Sequence, residues 1–143
     1  MQGKTAYVNG SKITGTYVAS PSYPPDWSQL GYSNTPQAII DDFNYAKDIK
    51  DNWDSSITSM NAMYYNNRVM TLFPLVDTSH VTDMQYCFGN CYYMQEVPLL
   101  NTENVTNMES MFLSNQRLVS IPQYNTSKVT KVYNMFNRLC KII

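Results

Sequence analysis

The sequence has little charge, little histidine and little glycine, and each shortage argues against a class of function. Asp, Glu, Lys and Arg make up 15% of the 143 residues, and the formal net charge is −1. This balance offers no basic surface for DNA or RNA, so we expect no nucleic-acid partner. Gly occurs five times, never in the spacing of a phosphate-binding loop. Because the apolar runs are too short to cross a bilayer, we also expect no membrane partner.

The single histidine limits the enzymes and metal sites that the chain could form. His80 falls at a polar turn position of the repeat described below, where we expect a solvated side chain. Cys87 and Cys91 could be drawn with His80 as a zinc site, but three ligands at irregular spacing are weak evidence for one. Cys140 should lie on the order of 10 Å from Cys91, which is too far for a disulfide. We therefore predict free thiols, no metal, no cofactor and no enzymatic activity.

The sequence does contain an internal repeat of constant period. The segment 57–60 recurs at 81–84, 105–108 and 129–132, and each copy reads apolar, Thr, polar, apolar. Further apolar columns recur at the same step, and repeats of this kind bury one continuous core between stacked units. The predicted structural core consists of Met60, Met63, Met84, Cys87, Phe88, Met108, Met111, Phe112, Leu118, Ile121, Met135 and Phe136.

Each unit is predicted to contain one short helix and one short strand. Met108, Met111 and Phe112 have the spacing of one helix face, and the Thr before them has the place of a helix N-cap. The predicted helix caps are Thr82, Thr106 and Thr130. The segment 118–122 reads as a short strand that ends at its Pro. Stacking would give an α/β solenoid with a parallel β ladder on one side and helical turns on the other.

This pattern resembles the BspA-like leucine-rich repeat, whose units read roughly L-x-x-I-P-x-L-D-T-S-x-V-T-N-M-x-x-M-F-x-N-C. The best copies run from Val97 to Phe112 and from Asp77 to Cys91. The resemblance covers residues 57–143 and implies a short leucine-rich-repeat solenoid that acts in adhesion and recognition rather than catalysis. Members of that family are found on bacterial surface proteins, on surface proteins of some parasitic protists and in phage proteins.

Residues 1–17 are predicted to form a β-hairpin module in front of the repeats. The pair Asn9-Gly10 lies between Thr5–Val8 and Lys12–Tyr17, and both of its members tolerate the positive φ of a tight hairpin turn. The wording G-K-T-A-Y-V-N-G-S-K-I-T-G-T is similar to a short module of bacteriophage tail and fibre proteins. That similarity implies a virion protein.

Between the hairpin and the repeats, the sequence predicts a linker and then a capping unit. Residues 18–34 are rich in Pro, Ser and Tyr, which is typical of a semi-rigid linker. Residues 35–56 fit the repeat register as a degenerate helical repeat, with Thr35 as N-cap and Pro36 at the first helical position. The predicted buried face of this helix consists of Ile39, Ile40, Phe43 and Ala46.

Three functions remain open. The first is a non-enzymatic phage virion component, in a fibre, tail or capsid decoration, that uses the repeat surface for assembly or host-surface binding. The second is a fragment of a bacterial cell-surface adhesin, and the third is an enzyme. The hairpin module, and an N-terminus without the layout of a signal peptide, favour the first. Its expected location is the virion, and its expected partners are other virion or surface proteins, a host glycan or protein, and further copies of the chain.

A homo-oligomer is expected for a separate reason. The sequence stops inside a fourth unit, before the Pro and the Asx-Thr pair that close the others. A parallel ladder ending in this way would expose an unpaired edge. The predicted assembly contact consists of Leu139, Ile142 and Ile143.

Overall fold

The computed structural model describes residues 5–8, 11–14, 25–33, 36 and 39–139. Its regular elements are strand β1 at Thr5–Val8, strand β2 at Ser11–Thr14, a 3-10 helix at Trp27–Leu30 and helix α1 at Ile40–Asp51. The two strands pair antiparallel with Val8 opposite Ser11, and the Asn9-Gly10 turn predicted between them lies outside the described residues. The predicted extension of the second strand to Tyr17 lies outside the described residues.

The 3-10 helix contradicts the linker predicted over 18–34. Its buried side chains, Trp27 and Leu30, belong to a small apolar cluster that also contains Tyr32, Phe43, Ala46 and Leu72. The hydroxyl of Tyr32 donates to the carbonyl oxygens of Phe73 at 2.6 Å and Glu96 at 3.2 Å. The linker prediction was therefore wrong for residues 25–33, because burying a Trp and a Leu outweighs the local preference for an extended chain. The rest of that segment lies outside the described residues.

Helix α1 begins at Ile40 rather than at Pro36. Its first turn is capped by the carboxylate of Asp42, whose Oδ2 accepts a hydrogen bond from the N–H of Ile39 at 3.0 Å. Thr35, the predicted N-cap, lies outside the described residues. Of the predicted buried face, the buried members are Phe43 and Ala46, and the members wrongly predicted to be buried are Ile39 and Ile40.

Residues 57–139 form four units that contact one another at the step of the sequence repeat. Isolated parallel bridges join, in order, Ser59, Asp83, Asn107 and Lys131. One further parallel bridge joins Leu72 to Glu96. Between 57 and 139 the chain forms no helix and no continuous strand, so the helix predicted in each unit was wrong. The strand predicted at 118–122 is likewise an irregular extended segment.

An aromatic column runs along the core of the stack. The ring of Phe88 lies between those of Tyr64 and Phe112, at centroid distances of 5.9 and 5.7 Å and with interplanar angles of 9° and 15°. Phe112 continues the column to Phe136 at 6.4 Å. Around it, the buried members of the predicted core are Met60, Met84, Cys87, Phe88, Met108, Met111, Phe112, Leu118 and Met135.

The two ends of the stack depart from the predicted core. Met63 is 41% exposed and Phe136 is 53% exposed, so predicting that they are buried was wrong. Ile121 is only partly buried. Met63 and Phe136 belong to the first and last units, which have a neighbouring unit on one side only among the described residues. Burial in this fold therefore depends on the number of neighbouring units as well as on the column.

Candidate functional site

The four units present the same turn segment, at 59–66, 83–90, 107–114 and 131–138, and we call these segments the ladder turns. In the second unit, the N–H groups of Cys87, Gly89 and Cys91 donate to the carbonyl oxygens three residues earlier, at 3.1, 3.0 and 3.3 Å. An α-helix would instead bond residues four apart, and a 3-10 helix would make three-residue bonds at successive residues rather than at every second one. Each ladder turn is therefore a run of tight turns rather than a helical segment.

Left-handed residues recur at fixed places in the ladder turns. Non-glycine residues with φ of 53–62° are Ala62, Asn66, Tyr86, Asn90, Ser110, Ser114, Asn134 and Arg138. This conformation costs an L-residue roughly 1–2 kcal/mol. In the first three ladder turns, every second N–H bonds to the next unit. The hydrogen bonds between units offset this local strain.

The ladder turns are joined by hydrogen bonds that all run in one direction. In the second ladder turn, the donors are the N–H groups of Met84, Tyr86, Phe88 and Asn90. They bond, in that order, to the carbonyl oxygens of Asn107, Glu109, Met111 and Leu113 in the third ladder turn, at 2.7–3.0 Å. The first turn bonds to the second, and the third to the fourth, in the same way at 2.8–3.1 Å. Each ladder turn thus presents carbonyl oxygens towards one end of the stack and N–H groups towards the other.

The sequence predicted that the repeated Thr residues cap helices, and this prediction was wrong. The hydroxyl of Thr106 donates to the carbonyl oxygen of Thr82 at 3.2 Å, and the N–H of Thr106 donates to the same oxygen at 2.8 Å. Thr82 and Thr130 make the matching bonds to the units before them. The start of the second and third turns is instead held by Asp83 and Asn107, whose Oδ1 atoms accept the N–H two residues later at 2.9 and 3.0 Å.

Tyrosine and arginine side chains of neighbouring units contact one another in three pairs, two of which lie outside the ladder turns. We call these side chains the Tyr–Arg surface, which consists of Tyr65, Arg68, Tyr86, Tyr92, Tyr93 and Arg117. The guanidinium of Arg68 lies 4.3 Å from the ring centroid of Tyr92, and that of Arg117 lies 4.8 Å from the centroid of Tyr93. Tyr65 packs edge-on against Tyr86 at 5.6 Å, and its hydroxyl accepts a hydrogen bond from Asn90 at 3.0 Å. Each pair joins two adjacent units.

Part of the Tyr–Arg surface is accessible. Tyr65 and Tyr93 are 45% and 42% exposed, and Val69, which follows Arg68 in the sequence, is 68% exposed. Because the cation–π contacts already fix the guanidinium groups, a partner would order few side chains on binding. Sequence reasoning missed this surface. The available signal was that Arg68 and Tyr92, and likewise Tyr93 and Arg117, are one period apart.

Comparison with known protein families identifies one family that matches most of the chain. The family described as "Mycoplasma protein of unknown function, DUF285" matches residues 34–142. The chain belongs to this family. The DUF285 region includes helix α1, all four ladder turns and the whole Tyr–Arg surface, whereas the hairpin lies before it. No curated protein and no solved structure matches the chain.

The two described cysteines of the DUF285 region are buried free thiols. Desolvation raises the pKa of Cys87 well above its ordinary value and that of Cys91 to about 11. The Sγ of Cys91 lies 3.1 Å from the carbonyl oxygen of Tyr64, so its S–H is aimed at that oxygen. Protonated thiols are poor nucleophiles and poor metal ligands. Within the described part of the chain, no three His, Cys, Asp or Glu side chains are grouped as a metal site would need.

A cleft of about 470 Å³ lies between the end of helix α1 and residues 75–77, 99 and 101. Trp53 forms part of its wall and donates from Nε1 to the carbonyl oxygen of Asp77 at 2.8 Å. Hydrogen bonds from Ser79 hold the pKa of the Asp77 carboxyl below its ordinary value. This carboxylate stabilises its own turn, where its Oδ1 accepts a hydrogen bond from the Ser79 N–H at 3.0 Å. His80 is exposed in that turn.

Only part of the predicted assembly contact can be placed. Leu139 is partly buried and lines an apolar cavity of about 430 Å³ with Ile121, Pro122 and Phe136. Ile142, Ile143 and Cys140 lie outside the described residues. No helix of the described residues has the length and apolar character that crossing a membrane requires.

Proposed function

We propose that this chain is a non-enzymatic structural and interaction protein of a phage virion, part of a fibre, a tail or a capsid decoration. In this proposal the DUF285 region binds another virion protein or the host surface through the Tyr–Arg surface. A fragment of a bacterial cell-surface adhesin is the second candidate. It would use the same surface against a different partner.

The proposed fold is a short BspA-like leucine-rich-repeat solenoid. Three observations support it: the parallel bridges at a constant step along the chain, the hydrogen bonds that join each ladder turn to the next, and the aromatic column inside the stack. Stacked units of this kind present equivalent positions side by side, which suits recognition of an extended partner. The fold supports binding but does not itself define the partner.

The observation that carries the proposal is the Tyr–Arg surface itself. Tyr and Arg are enriched among the residues that dominate binding energy at protein interfaces. Two Arg–Tyr pairs here bridge three successive units, and Tyr65 and Tyr93 remain more than two-fifths exposed. This arrangement favours a protein partner that buries the rings and pairs with the guanidinium groups.

The choice of a virion over a cell surface rests on the hairpin. Its sequence is similar to the module of phage tail and fibre proteins. The pairing of residues 5–8 with 11–14 agrees with the hairpin expected from the Asn9-Gly10 pair but does not bear on that similarity. A two-stranded hairpin has marginal stability by itself. We therefore propose that the hairpin also takes part in joining the chain to the particle.

Fractionation tests the location. Lysates of the source cells, made after induction of any resident phage, would be separated on a density gradient and probed with an antibody against the chain. The proposal expects the chain to band with intact particles and to be visible on them by immunogold electron microscopy. Recovery with the cell envelope in the absence of particles would favour the adhesin. Recovery in neither fraction would contradict both candidates.

Substitution tests the surface. Tyr93→Ala and Arg117→Ala should each weaken recruitment of the chain to particles by about tenfold or more, as expected for residues at the centre of an interface. Leu99→Ala is a matched control, because Leu99 is 60% exposed but makes no part of the Tyr–Arg surface. Equal recruitment of all three variants would remove the Tyr–Arg surface from the proposal.

A further inference from the structure

The two ends of the ladder carry complementary backbone groups. The carbonyl oxygens of the first ladder turn form an acceptor row, which consists of Ser59, Asn61, Met63 and Tyr65. The N–H groups of the fourth ladder turn form a donor row, which consists of Val132, Asn134, Phe136 and Arg138. Neither row has a hydrogen-bond partner among the described residues. Both rows continue the positions that pair at the three interfaces inside the chain.

The acceptor row is open because helix α1 covers only the other half of that end. Tyr45 and Trp53 seat the helix over the far side of the first unit, where Asn67 donates to the Tyr45 hydroxyl at 3.0 Å and Trp53 packs on Phe73 at 6.2 Å. A groove of about 300 Å³ separates the helix from Met63. All four residues of the acceptor row are exposed.

The donor row has the backbone shape that the acceptor row requires. Asn134 and Arg138 have φ of 55° and 62°, the same left-handed values as at the equivalent places in the other ladder turns. The fourth turn also makes its internal bonds, from Met135 to Val132 and from Asn137 to Asn134, both at 3.1 Å. Its N–H groups are thus already oriented for a further turn.

The charges at the two ends are complementary as well. Residues 39–54 contain five Asp and two Lys, and Asp48 and Asp54 line the groove beside the acceptor row. Residues 126–139 contain two Lys and one Arg and no acidic residue. Exposed charges of opposite sign steer two surfaces together and favour one orientation. Two acceptor rows brought together would instead repel each other.

We propose that copies of this chain associate head to tail, with the donor row of one copy bonding to the acceptor row of the next. The new interface repeats the backbone ladder that the chain already forms three times. Such a heterologous contact leaves a free row at each end and can therefore extend beyond a dimer. This inference goes beyond the proposed function, and of the Tyr–Arg surface it uses only the backbone carbonyl of Tyr65.

The test is self-association of the purified chain in low salt, measured by sedimentation velocity between about 5 and 500 µM. Wild type should associate, and raising the salt to about 0.5 M should weaken the association because exposed charges are screened. Lys131→Glu at the donor end and Asp48→Lys at the acceptor end should each weaken it by about tenfold or more. Mixing these two variants should restore association, because each supplies the end that the other lacks.

Two further measurements make the test specific. Arg117→Glu changes the net charge by the same amount as Lys131→Glu but lies in the Tyr–Arg surface, so self-association should be unchanged. Amide exchange followed by NMR should show protection of Asn134 and Phe136 that grows with protein concentration. A wild type that stays monomeric at the highest concentration would overturn the proposal. So would association that leaves these two amides unprotected.

Discussion

The rings of Phe88 and Phe112 stack 5.7 Å apart, one repeat period from each other, and both are fully buried. Phe112→Ala should therefore lower the free energy of unfolding by roughly 3–5 kcal/mol, through lost burial and the cavity left behind. Phe136→Ala is the matched control, because Phe136 continues the same column but is 53% exposed. We expect it to cost less than about 1.5 kcal/mol. Equal losses in urea titrations would contradict the graded burial along the column.

Two threonines of the third unit provide a paired test of the hydrogen bonds between units. Thr102 is 2% exposed, and its hydroxyl donates to the carbonyl oxygen of Asn125 at 2.8 Å. Thr102→Val should cost about 1 kcal/mol of stability, because it removes a hydrogen bond between units whose donor is buried. Thr106→Val should cost less than about 0.5 kcal/mol, since Thr106 is exposed and its N–H keeps the bond to Thr82. A larger loss at Thr106 would restore the helix-cap interpretation.

The left-handed positions of the ladder turns predict an unusual response to glycine. Ala62 has φ of 53° and is exposed. Ala62→Gly should leave stability unchanged or raise it by up to about 1 kcal/mol, because glycine adopts this conformation without strain. Asn61→Gly, one residue earlier, should destabilise by about 0.5–1 kcal/mol. Thermal unfolding of the two variants side by side checks the backbone conformation directly, and a loss at Ala62 larger than at Asn61 would exclude it.

The buried thiols predict slow chemistry and a defined pH dependence. At pH 8, iodoacetamide should label Cys91 at least about 100-fold more slowly in the native chain than in guanidinium chloride, because the native thiol is both protonated and covered. Peptide mass mapping identifies which cysteine reacts. Rapid native labelling of Cys91 would mean that the stack opens there.

The Cys91 thiol should also make the free energy of unfolding depend on pH. The pKa of Cys91 is raised from 9.0 to about 11 in the folded chain. The contribution of this thiol to the free energy of unfolding is fully present below about pH 9. It is lost as the pH rises towards 11, because the thiol ionises at lower pH in the unfolded chain than in the folded chain. Compared with Cys91→Ala, wild type should therefore lose stability more steeply over that range in urea titrations at several pH values.

The sequence located the buried core correctly, because the core side chains repeat. It did not predict the secondary structure of the ladder turns, which depends on backbone conformation. The Met and Phe columns located the core because burial leaves a direct mark on residue type, as at Met108 and Phe112. The same spacing of three and four residues also fits consecutive tight turns, so it could not tell a helix from a ladder turn. Left-handed φ at Tyr86 or Ser110 leaves no mark on residue type when hydrogen bonds between units offset the strain.

The parts that sequence reasoning missed depend on contacts between distant segments. Trp27 and Leu30 lie in a stretch whose composition favours a linker, and only their contacts with Phe43 and Leu72 show why they are buried. The Tyr–Arg surface likewise depends on units lying side by side. The buried face predicted for helix α1 included Ile40, which the later start of the helix leaves exposed.

The hydrogen bonds between ladder turns are the central feature of the fold, and NMR can detect them individually. A long-range HNCO experiment measures scalar coupling across a hydrogen bond, from the donor nitrogen to the acceptor carbonyl carbon. We expect a cross-peak from the N–H of Phe88 to the carbonyl of Met111, and matching cross-peaks from Met84, Tyr86 and Asn90 to other carbonyls of the third ladder turn. Cross-peaks to carbonyls four residues earlier would show helices in these segments and contradict the ladder.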